Sequence, residues 1–187
     1  MDKKVKDLES SLEISKKEIN DLEQYGRRTM VTVSGIPRAK DENTNNLILN
    51  LASKLDVELT EQDIDISHRT SNNANATIIV KFENRKKRNL FYFEGRKALK
   101  DKKTTSLDLG LSEDNDLYIN ESLTAINGEL YSTARKKLLK EKRFKYIWTR
   151  NGKIFGKRDD LEKTKVVTIM NKEQINKLYY ENPPQNV

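Results

Sequence analysis

The chain has 187 residues, of which 35% are hydrophobic and 35% charged, and its formal net charge is +7. These values predict small cores and favour a polyanionic partner. The absence of cysteine excludes disulfides and thiolate metal sites, and the single histidine, His68, excludes histidine-rich metal sites. No apolar run approaches the roughly 18 residues of a membrane span. We expect a soluble, intracellular protein without a cofactor.

The first 26 residues predict a self-associating helix. Apolar residues recur there at alternating steps of three and four, at Val5, Leu8, Leu12, Ile19 and Leu22, and polar Ser15 interrupts the series once. This spacing is typical of the a/d seam of a coiled coil about three heptads long. Gly26 is a suitable helix stop. The alternative is an amphipathic helix that packs on its own domain.

Residues 27–120 predict a domain with the element order βαββαβ. Strands are expected at Met30–Ile36, Ile64–Arg69, Thr77–Phe82 and Leu117–Asn120, and helices after Asn43 or Thr44 and over Asn84–Leu99. This order is the split βαβ arrangement of ferredoxin-like domains, and their RNA-binding version stacks bases on aromatic residues of the central strands.

The outward positions of the two central strands lack aromatic residues. They are Thr32, Ser34, Ile79 and Lys81, and only Tyr118 on the edge strand offers a ring. We therefore expect this sheet to contact nucleic acid mostly through charge and backbone. The basic run Arg85–Arg88 is either a phosphate track or a solvated helix face. His68 is expected to pack or to make a single hydrogen bond.

Residues 121–180 predict a second, small basic domain that opens with a long amphipathic helix. Its apolar stripe consists of Leu123, Ile126, Leu130, Ala134 and Leu138, preceded by cap residues at Asn120–Ser122. Gly128 is a position where the helix is expected to bend or split. The opposite side carries Arg135, Lys136, Lys140 and Arg143, and the last three are spaced to share a phosphate-binding face.

A β-hairpin follows the helix. Asn151-Gly152 between two alternating runs predicts a type I′ turn. In that register Arg150 faces Lys153, Trp148 faces Phe155 and Tyr146 faces Lys157. Three aromatics and three cations on one face suit single-stranded nucleic acid, because bases stack on exposed rings. The alternative, which we favour for Trp148, is that the large rings form the core against the helix.

A third strand at Lys163–Met170 and a closing helix at Asn171–Tyr180 complete the predicted domain, and residues 181–187 are expected to be a disordered tail. The predicted fold class is therefore α+β.

Several short motifs occur in a characteristic order. They are Arg27-Arg28 followed by Val31–Pro37, Ser67–Arg69, Ile79–Phe82, Ile119–Thr124, Ala134-Arg135 and Trp148–Ile154. Together they span most of Leu22–Met170. In this order the chain resembles the first-open-reading-frame protein of LINE-type non-LTR retrotransposons, in the branch related to the baculovirus few-polyhedra protein.

The resemblance implies a trimeric coiled coil, sequence-tolerant binding of single-stranded RNA, and nucleic-acid chaperone activity in a retrotransposition particle. We expect a cytoplasmic rather than a nuclear ribonucleoprotein. Because the sheet lacks stacking aromatics, we expect a groove to which both domains contribute. The predicted nucleic-acid-binding residues are Arg27, Arg28, Arg69, Lys81, Tyr118, Arg135, Lys136, Lys140, Arg143, Arg150, Lys153 and Lys157.

Two other functions were weighed against RNA binding. One is a non-enzymatic assembly protein like the viral relative, in which the basic charge mainly aids solubility. The other is an enzyme, which we do not expect because the sequence contains no phosphate-cradling glycine-rich loop, no HExxH and no GxSxG. Single-stranded DNA is an alternative ligand to RNA.

Overall fold

The computed structural model describes residues 3–184. It has an α+β architecture, as predicted, and divides into two compact units. The terminal unit contains residues 3–26 and 123–184, and the central unit contains residues 27–122. The chain thus begins in the terminal unit with helix α1 (Lys3–Gly26) and returns to that unit after the central one.

The central unit has the predicted βαββαβ order. After a 3₁₀ turn at Arg27–Thr29, its elements are β1 (Met30–Ser34), α2 (Thr44–Lys54), β2 (Ile64–Arg69), β3 (Ile78–Phe82), α3 (Arg85–Asp101) and β4 (Tyr118–Glu121). The sheet order is β2-β3-β1-β4, and all neighbouring strands are antiparallel. Short 3₁₀ turns at Glu61–Asp63 and Ser106–Leu109 connect the elements.

The core of the central unit lies on one face of this sheet. Val31, Val33, Ile78 and Val80 are fully buried against the helices, together with a pair of phenylalanine rings. The opposite face carries Thr32, Ser34, Ile79 and Lys81, as the alternation predicted. Asn43 caps α2 and Asn84 caps α3, each accepting a hydrogen bond from a backbone N–H three residues on.

Strand β2 departs from the predicted alternation because it contains a bulge. The register with β3 shifts between Ile64 and Ile66, and an extra residue in one strand reverses the faces of all residues beyond it. Ile66 is therefore 53% exposed. His68, expected to pack or to make a single hydrogen bond, is exposed on the outer face, whereas Arg69 turns toward the interior.

Arg69 is consequently a structural residue. Its guanidinium donates to the Glu42 carboxylate at 2.7 and 2.8 Å and to the carbonyls of Ile36 and Ala76, both at 2.6 Å. Its side chain is only 3% exposed. The prediction that Arg69 binds nucleic acid is corrected by this geometry, because its donors hold the loop after β1 in place.

The terminal unit contains the predicted helix, hairpin, third strand and closing helix. Its elements after α1 are α4 (Ala125–Ala134), a π-helical turn (Arg135–Leu139), β5 (Tyr146–Arg150), β6 (Lys153–Lys157), β7 (Val167–Ile169) and α5 (Lys172–Glu181). The three strands form an antiparallel sheet in the order β5-β6-β7. The predicted tail began at residue 181, but Glu181 is the last residue of α5. Residues 185–187 of that tail lie outside the described residues.

Helix α4 differs from its prediction at both ends. Its N-cap is Thr124, whose hydroxyl accepts from the Asn127 N–H, and not a residue of the Asn120–Ser122 segment. The helix runs unbroken through Gly128, and the irregularity lies further on, in the π-helical turn. Leu130, Ala134 and Leu138 are buried as predicted, but Ile126 is 57% exposed.

An amide network attaches the end of α1 to the rest of the terminal unit. The side-chain carbonyl of Gln24 accepts from the Thr124 N–H and from the Asn127 side chain, both at 3.0 Å. Asn20 accepts from the Thr124 hydroxyl at 2.7 Å. Asn127 also donates to the carbonyl of Gly152 at 3.3 Å. The last turn of α1 is therefore tied to the start of α4 and to the hairpin turn.

Changing Glu42 to Gln should lower the free energy of unfolding of the central unit by about 1–3 kcal/mol, because Arg69 stays buried without its carboxylate. The hydrogen bond from Arg69 lowers the pKa of Glu42 below its ordinary 4.5. The unfolded chain then binds more protons, so wild-type stability should fall as the pH drops below about 4.5, and this dependence should weaken in the variant. Hydrogen exchange of the β1 and β3 amides measures both effects.

The control for this experiment is Asp41→Asn. It makes the same charge change at the neighbouring exposed residue, and asparagine tolerates the positive φ of 56° found there. Equal effects of the two substitutions would contradict the assigned role of the Glu42–Arg69 pair.

Candidate nucleic-acid interface

The β5–β6 hairpin has the predicted turn and register. Asn151 and Gly152 have φ values of 54° and 76°, the paired positive values of a type I′ turn. Arg150 pairs with Lys153, Trp148 with Phe155, and Tyr146 with Lys157. The turn thus places three aromatic and three cationic residues on one face of the ribbon.

That face points away from the core of the terminal unit. Ile147, Ile154 and Ile169 on the other face are buried with residues of α4, the π-helical turn and α5. Trp148 and Phe155 are only half-buried, and their rings stack on each other with centroids 5.8 Å apart and planes inclined by 25°. The favoured interpretation of Trp148 as a core residue is therefore wrong, because alternation along β5 gives the core side to Ile147.

Cations surround the stacked rings. Arg150 and Lys153 are exposed on either side of the hairpin turn, and Lys157 is half-buried opposite Tyr146. On β7, Thr168 pairs with Phe155 and extends the same face. We call the surface formed by Tyr146, Trp148, Arg150, Lys153, Phe155 and Lys157 the ribbon face.

A cluster at one edge of the ribbon face was absent from the predicted site. The Lys145 ammonium is paired with the Asp160 carboxylate, and the Tyr146 hydroxyl donates to the other oxygen of Asp160 at 2.5 Å. The hydrogen bond from Lys145 lowers the pKa of Asp160, and the same bond raises the pKa of Lys145. The hydrogen bond to Asp160 likewise raises the pKa of Tyr146. The sequence signal was the pair Asp159-Asp160 directly after Lys157-Arg158.

The predicted cationic helix face is only partly formed. Arg135, Lys136 and Lys140 are exposed on the π-helical turn and the residue after it, and the Arg135 guanidinium lies 5.7 Å from the centre of the Tyr131 ring. Arg143 does not share their face, because the chain reverses at Lys142 with φ 56°. The Arg143 guanidinium instead lies 4.2 Å from the centre of the Tyr179 ring and donates to the Asn182 carbonyl at 3.0 Å. Arg143 therefore fastens the end of α5.

The predicted residues of the central unit occupy different environments. Arg27 and Arg28 lie half-buried in the 3₁₀ turn before β1, and Arg27 donates to the Ser122 hydroxyl at 3.2 Å. Tyr118 is 55% exposed on the edge strand β4, as predicted. Lys81 is on the outer face but is paired with Asp65 at 2.5 Å, and this hydrogen bond raises the pKa of Lys81. Besides the exposed imidazole of His68, the outer face of the central sheet therefore offers one exposed aromatic side chain, and its Lys81 is already paired.

The basic run at the start of α3 does not form a continuous track. Arg88 is buried, donates to the Glu121 carboxylate at 3.1 Å, and lies 4.5 Å from the centre of the Tyr92 ring. Lys87 is paired with Asp63 at 3.1 Å. Burial raises the pKa of Tyr92. Of the two interpretations left open for Arg85–Arg88, neither describes Arg88, which is an interior residue.

Within residues 3–184, no group of three or more His, Asp or Glu side chains is arranged to hold a metal ion. No helix in this range combines the length and apolar composition that crossing a bilayer requires.

The ribbon face lies in a segment that has a recognisable relative. Residues 124–179 match the family model for Baculovirus FP protein domain 2. This match agrees with the baculovirus-related branch of the resemblance and covers the chain from the N-cap of α4 into α5. No curated protein matches the sequence. The ribbon face and the Lys145–Asp160 pair thus lie within the matched segment.

Changing Gly152 to Ala should destabilise the terminal unit by about 1–2 kcal/mol, because an L-residue is strained at positive φ. The added Cβ would also lie 2.2 Å from Cγ of Gln24, whose amide is already held by the network described above. Urea unfolding followed by the emission of Trp148, the single tryptophan of the chain, measures the loss.

Gly128→Ala is the matched control for this substitution. Gly128 lies inside α4, and its added Cβ would meet no atom within 4 Å. Alanine at that position should raise the free energy of unfolding by about 0.5–1 kcal/mol. A loss of stability for both variants would contradict the specific role of the Gly152 turn.

Proposed function

We propose that this protein is a non-enzymatic, sequence-tolerant binding protein for single-stranded RNA. The observation that carries the proposal is the ribbon face, on which stacked Trp148 and Phe155 lie among Arg150, Lys153 and Lys157 outside the hydrophobic core. Phosphates are attracted by the cations whatever the base sequence, and every base has a face that stacks on an aromatic ring. This combination favours single strands, because the bases of a duplex are already stacked.

Cations outside the hairpin extend the proposed contact surface. Arg135, Lys136 and Lys140 are exposed in the same unit, at the end of the helix that packs behind the sheet. Tyr118, Arg27 and Arg28 of the central unit are retained as candidates. Arg69 and Arg143 are not, because their guanidinium groups are engaged in holding loops and helix ends. The groove shared by both domains stays a prediction.

Self-association through α1 is the second part of the proposal. Along the a/d seam, Val5 is 41% exposed, and Leu8, Leu12, Ile19 and Leu22 are between 55% and 74% exposed. Most of the stability of a helix in a protein comes from packing its apolar face, so an uncovered seam favours association with further copies. Several RNA-binding units on one oligomer would raise the affinity for a long strand through effective concentration. Such an oligomer fits the resemblance to the RNA-binding protein of a LINE-type ribonucleoprotein particle.

The alternative function is an assembly protein that binds no RNA. It is favoured by the match of residues 124–179 to an FP protein domain, together with the exposed seam of α1. The two functions differ in the expected role of the ribbon face, since only RNA binding requires its cations to meet phosphates.

Replacing Arg150 and Lys153 together by Ala should weaken RNA binding and reduce its dependence on salt. If about five phosphates are neutralised per protomer, the slope of log affinity against log salt should be roughly −3.5, and loss of two contacts should reduce it to roughly −2.1. Fluorescence anisotropy with a labelled oligouridylate at several salt concentrations measures both quantities.

The matched control is the double change of Lys172 and Lys177 to Ala. It removes the same charge from the same unit, but these lysines lie on α5, which packs on the core side of the sheet, and each is paired with a glutamate. Equal losses in the two double variants would assign binding to net charge alone. Unchanged RNA affinity in the hairpin variant, with loss of a protein partner, would favour the assembly function.

Changing Leu12 to Asp should dissociate the oligomer, because a charge in the seam of so short a coil is not compensated by other contacts. Light scattering of the full chain measures the mass. Ile14→Asp is the control, since Ile14 is 57% exposed on the same helix but lies outside the seam. An unchanged mass for Leu12→Asp, or the same loss of mass for both variants, would contradict the proposed seam.

A further inference from the structure

A pocket of about 430 Å³ opens at the edge of the ribbon face. It is lined by Leu139, Lys145, Tyr146, Ile147, Trp148 and Lys157. All six residues belong to the terminal unit, and four of them lie on or directly before β5, an edge strand of its sheet.

The walls of this pocket combine an indole with aliphatic side chains. Phe155 stacks on Trp148 but is not among the lining residues, so the pocket borders the part of the indole that Phe155 leaves uncovered. Leu139 and Ile147 provide the apolar contacts behind it. An aromatic wall and aliphatic neighbours suit a flat, aromatic ligand group.

Two lysines contribute to this pocket, and one of them already holds an anion. Lys145 and Lys157 both line it, and Lys145 is paired with the carboxylate of Asp160. The Tyr146 hydroxyl donates to the same carboxylate. Asp160 thus occupies a position in which an oxyanion receives hydrogen bonds from an ammonium group and a phenol at once.

We propose that this pocket is a single-base subsite, in which one unstacked base lies against Trp148 and its phosphate takes over the contacts that Asp160 makes in the unbound protein. The inference rests on the proposed function and names the part of the strand that the ribbon face recognises. Charge complementarity favours this occupant over an apolar side chain of a protein, because the two lining lysines outnumber the one carboxylate that pairs with them, that of Asp160.

Asp160 has a defined effect in this arrangement. A phosphate must compete with the carboxylate for Lys145, so Asp160 weakens binding whether or not the ligand also supplies a stacking base. Asp159 has a different role, since its carboxylate accepts from the Leu161 N–H at 2.9 Å and from the Thr164 hydroxyl within the turn.

Trp148 is the single tryptophan of the chain, so its emission reports directly on the pocket. The experiment titrates the full-length protein with a short oligouridylate and with an abasic ribose-phosphate oligomer of equal length. The oligouridylate should quench and shift the emission, whereas the abasic oligomer should bind through charge and change it little. Equal spectral changes with both oligomers would overturn the proposal.

Substitution of the pocket residues gives a second measurement. Trp148→Ala should weaken binding of the oligouridylate by about 5- to 140-fold, the range expected for one stacked base, and should leave the abasic oligomer unaffected. Asp160→Asn should tighten binding of both oligomers by about two- to fivefold, since an exposed ion pair no longer opposes the phosphate.

Glu162→Gln is the matched control for Asp160→Asn. It removes the same charge two residues away, at an exposed side chain outside the pocket lining. A gain for Glu162→Gln as large as that for Asp160→Asn would reduce the effect to net charge and overturn the role of Asp160. RNA binding by anisotropy without any change in Trp148 emission would overturn the subsite alone, whereas no RNA binding at all would overturn the proposed function as well.

Discussion

The register of the β5–β6 hairpin decides what the terminal unit can present to a ligand. A two-residue turn with positive φ at both positions allows only one pairing of the strands that flank it. A slip by one residue would bring Trp148 to the core side and turn Ile147 outward, because side chains alternate along a strand. The identity of Gly152 is doubly constrained, by its own φ of 76° and by the Gln24 side chain against it. The turn therefore controls both the stability of the unit and the composition of the ribbon face.

The same rule of alternation explains where sequence-based prediction succeeded and where it failed. The element order, the outward residues of β1 and β3, and the pairing of the hairpin followed from periodicity and from turn chemistry. Arg69 did not, because one extra residue in β2 reverses the strand, and nothing in the local sequence identifies a bulge. Trp148 was assigned to the core on the basis of its size, although the alternation of its own strand already placed it opposite Ile147. Where size and register disagreed, register was the better guide.

Net charge was a weaker guide to the site than register. The excess of seven positive charges is spread over cations with very different environments. Lys81 is paired with Asp65, Arg88 is buried with Glu121, and the Arg143 guanidinium packs on Tyr179. These partners lie on other helices and strands. The pairs therefore form through tertiary contacts, which the spacing of charged residues along the sequence does not predict. Arg150 and Lys153 are the contrasting case, since both are exposed although Gly152 between them is buried against Gln24.

The attachment of α1 links the two parts of the proposed function. Gln24 accepts a hydrogen bond from the backbone N–H of Thr124, the N-cap of α4, and Asn20 accepts one from its hydroxyl. Asn127 continues the network by donating to the carbonyl of Gly152 in the hairpin turn. The amide of Gln24 is buried and its carbonyl accepts two hydrogen bonds, so another geometry would leave polar groups unpaired. The direction in which α1 leaves the terminal unit is therefore set by the same residues that hold the turn between Arg150 and Lys153. In an oligomer built on the α1 seam, each copy would present its ribbon face in a fixed relation to the helix axis. An RNA strand bound by one copy would then reach the ribbon face of the next copy at a distance set by α1 and its amide network. This fixed distance would distinguish a cooperative RNA-binding assembly from a set of independent basic domains.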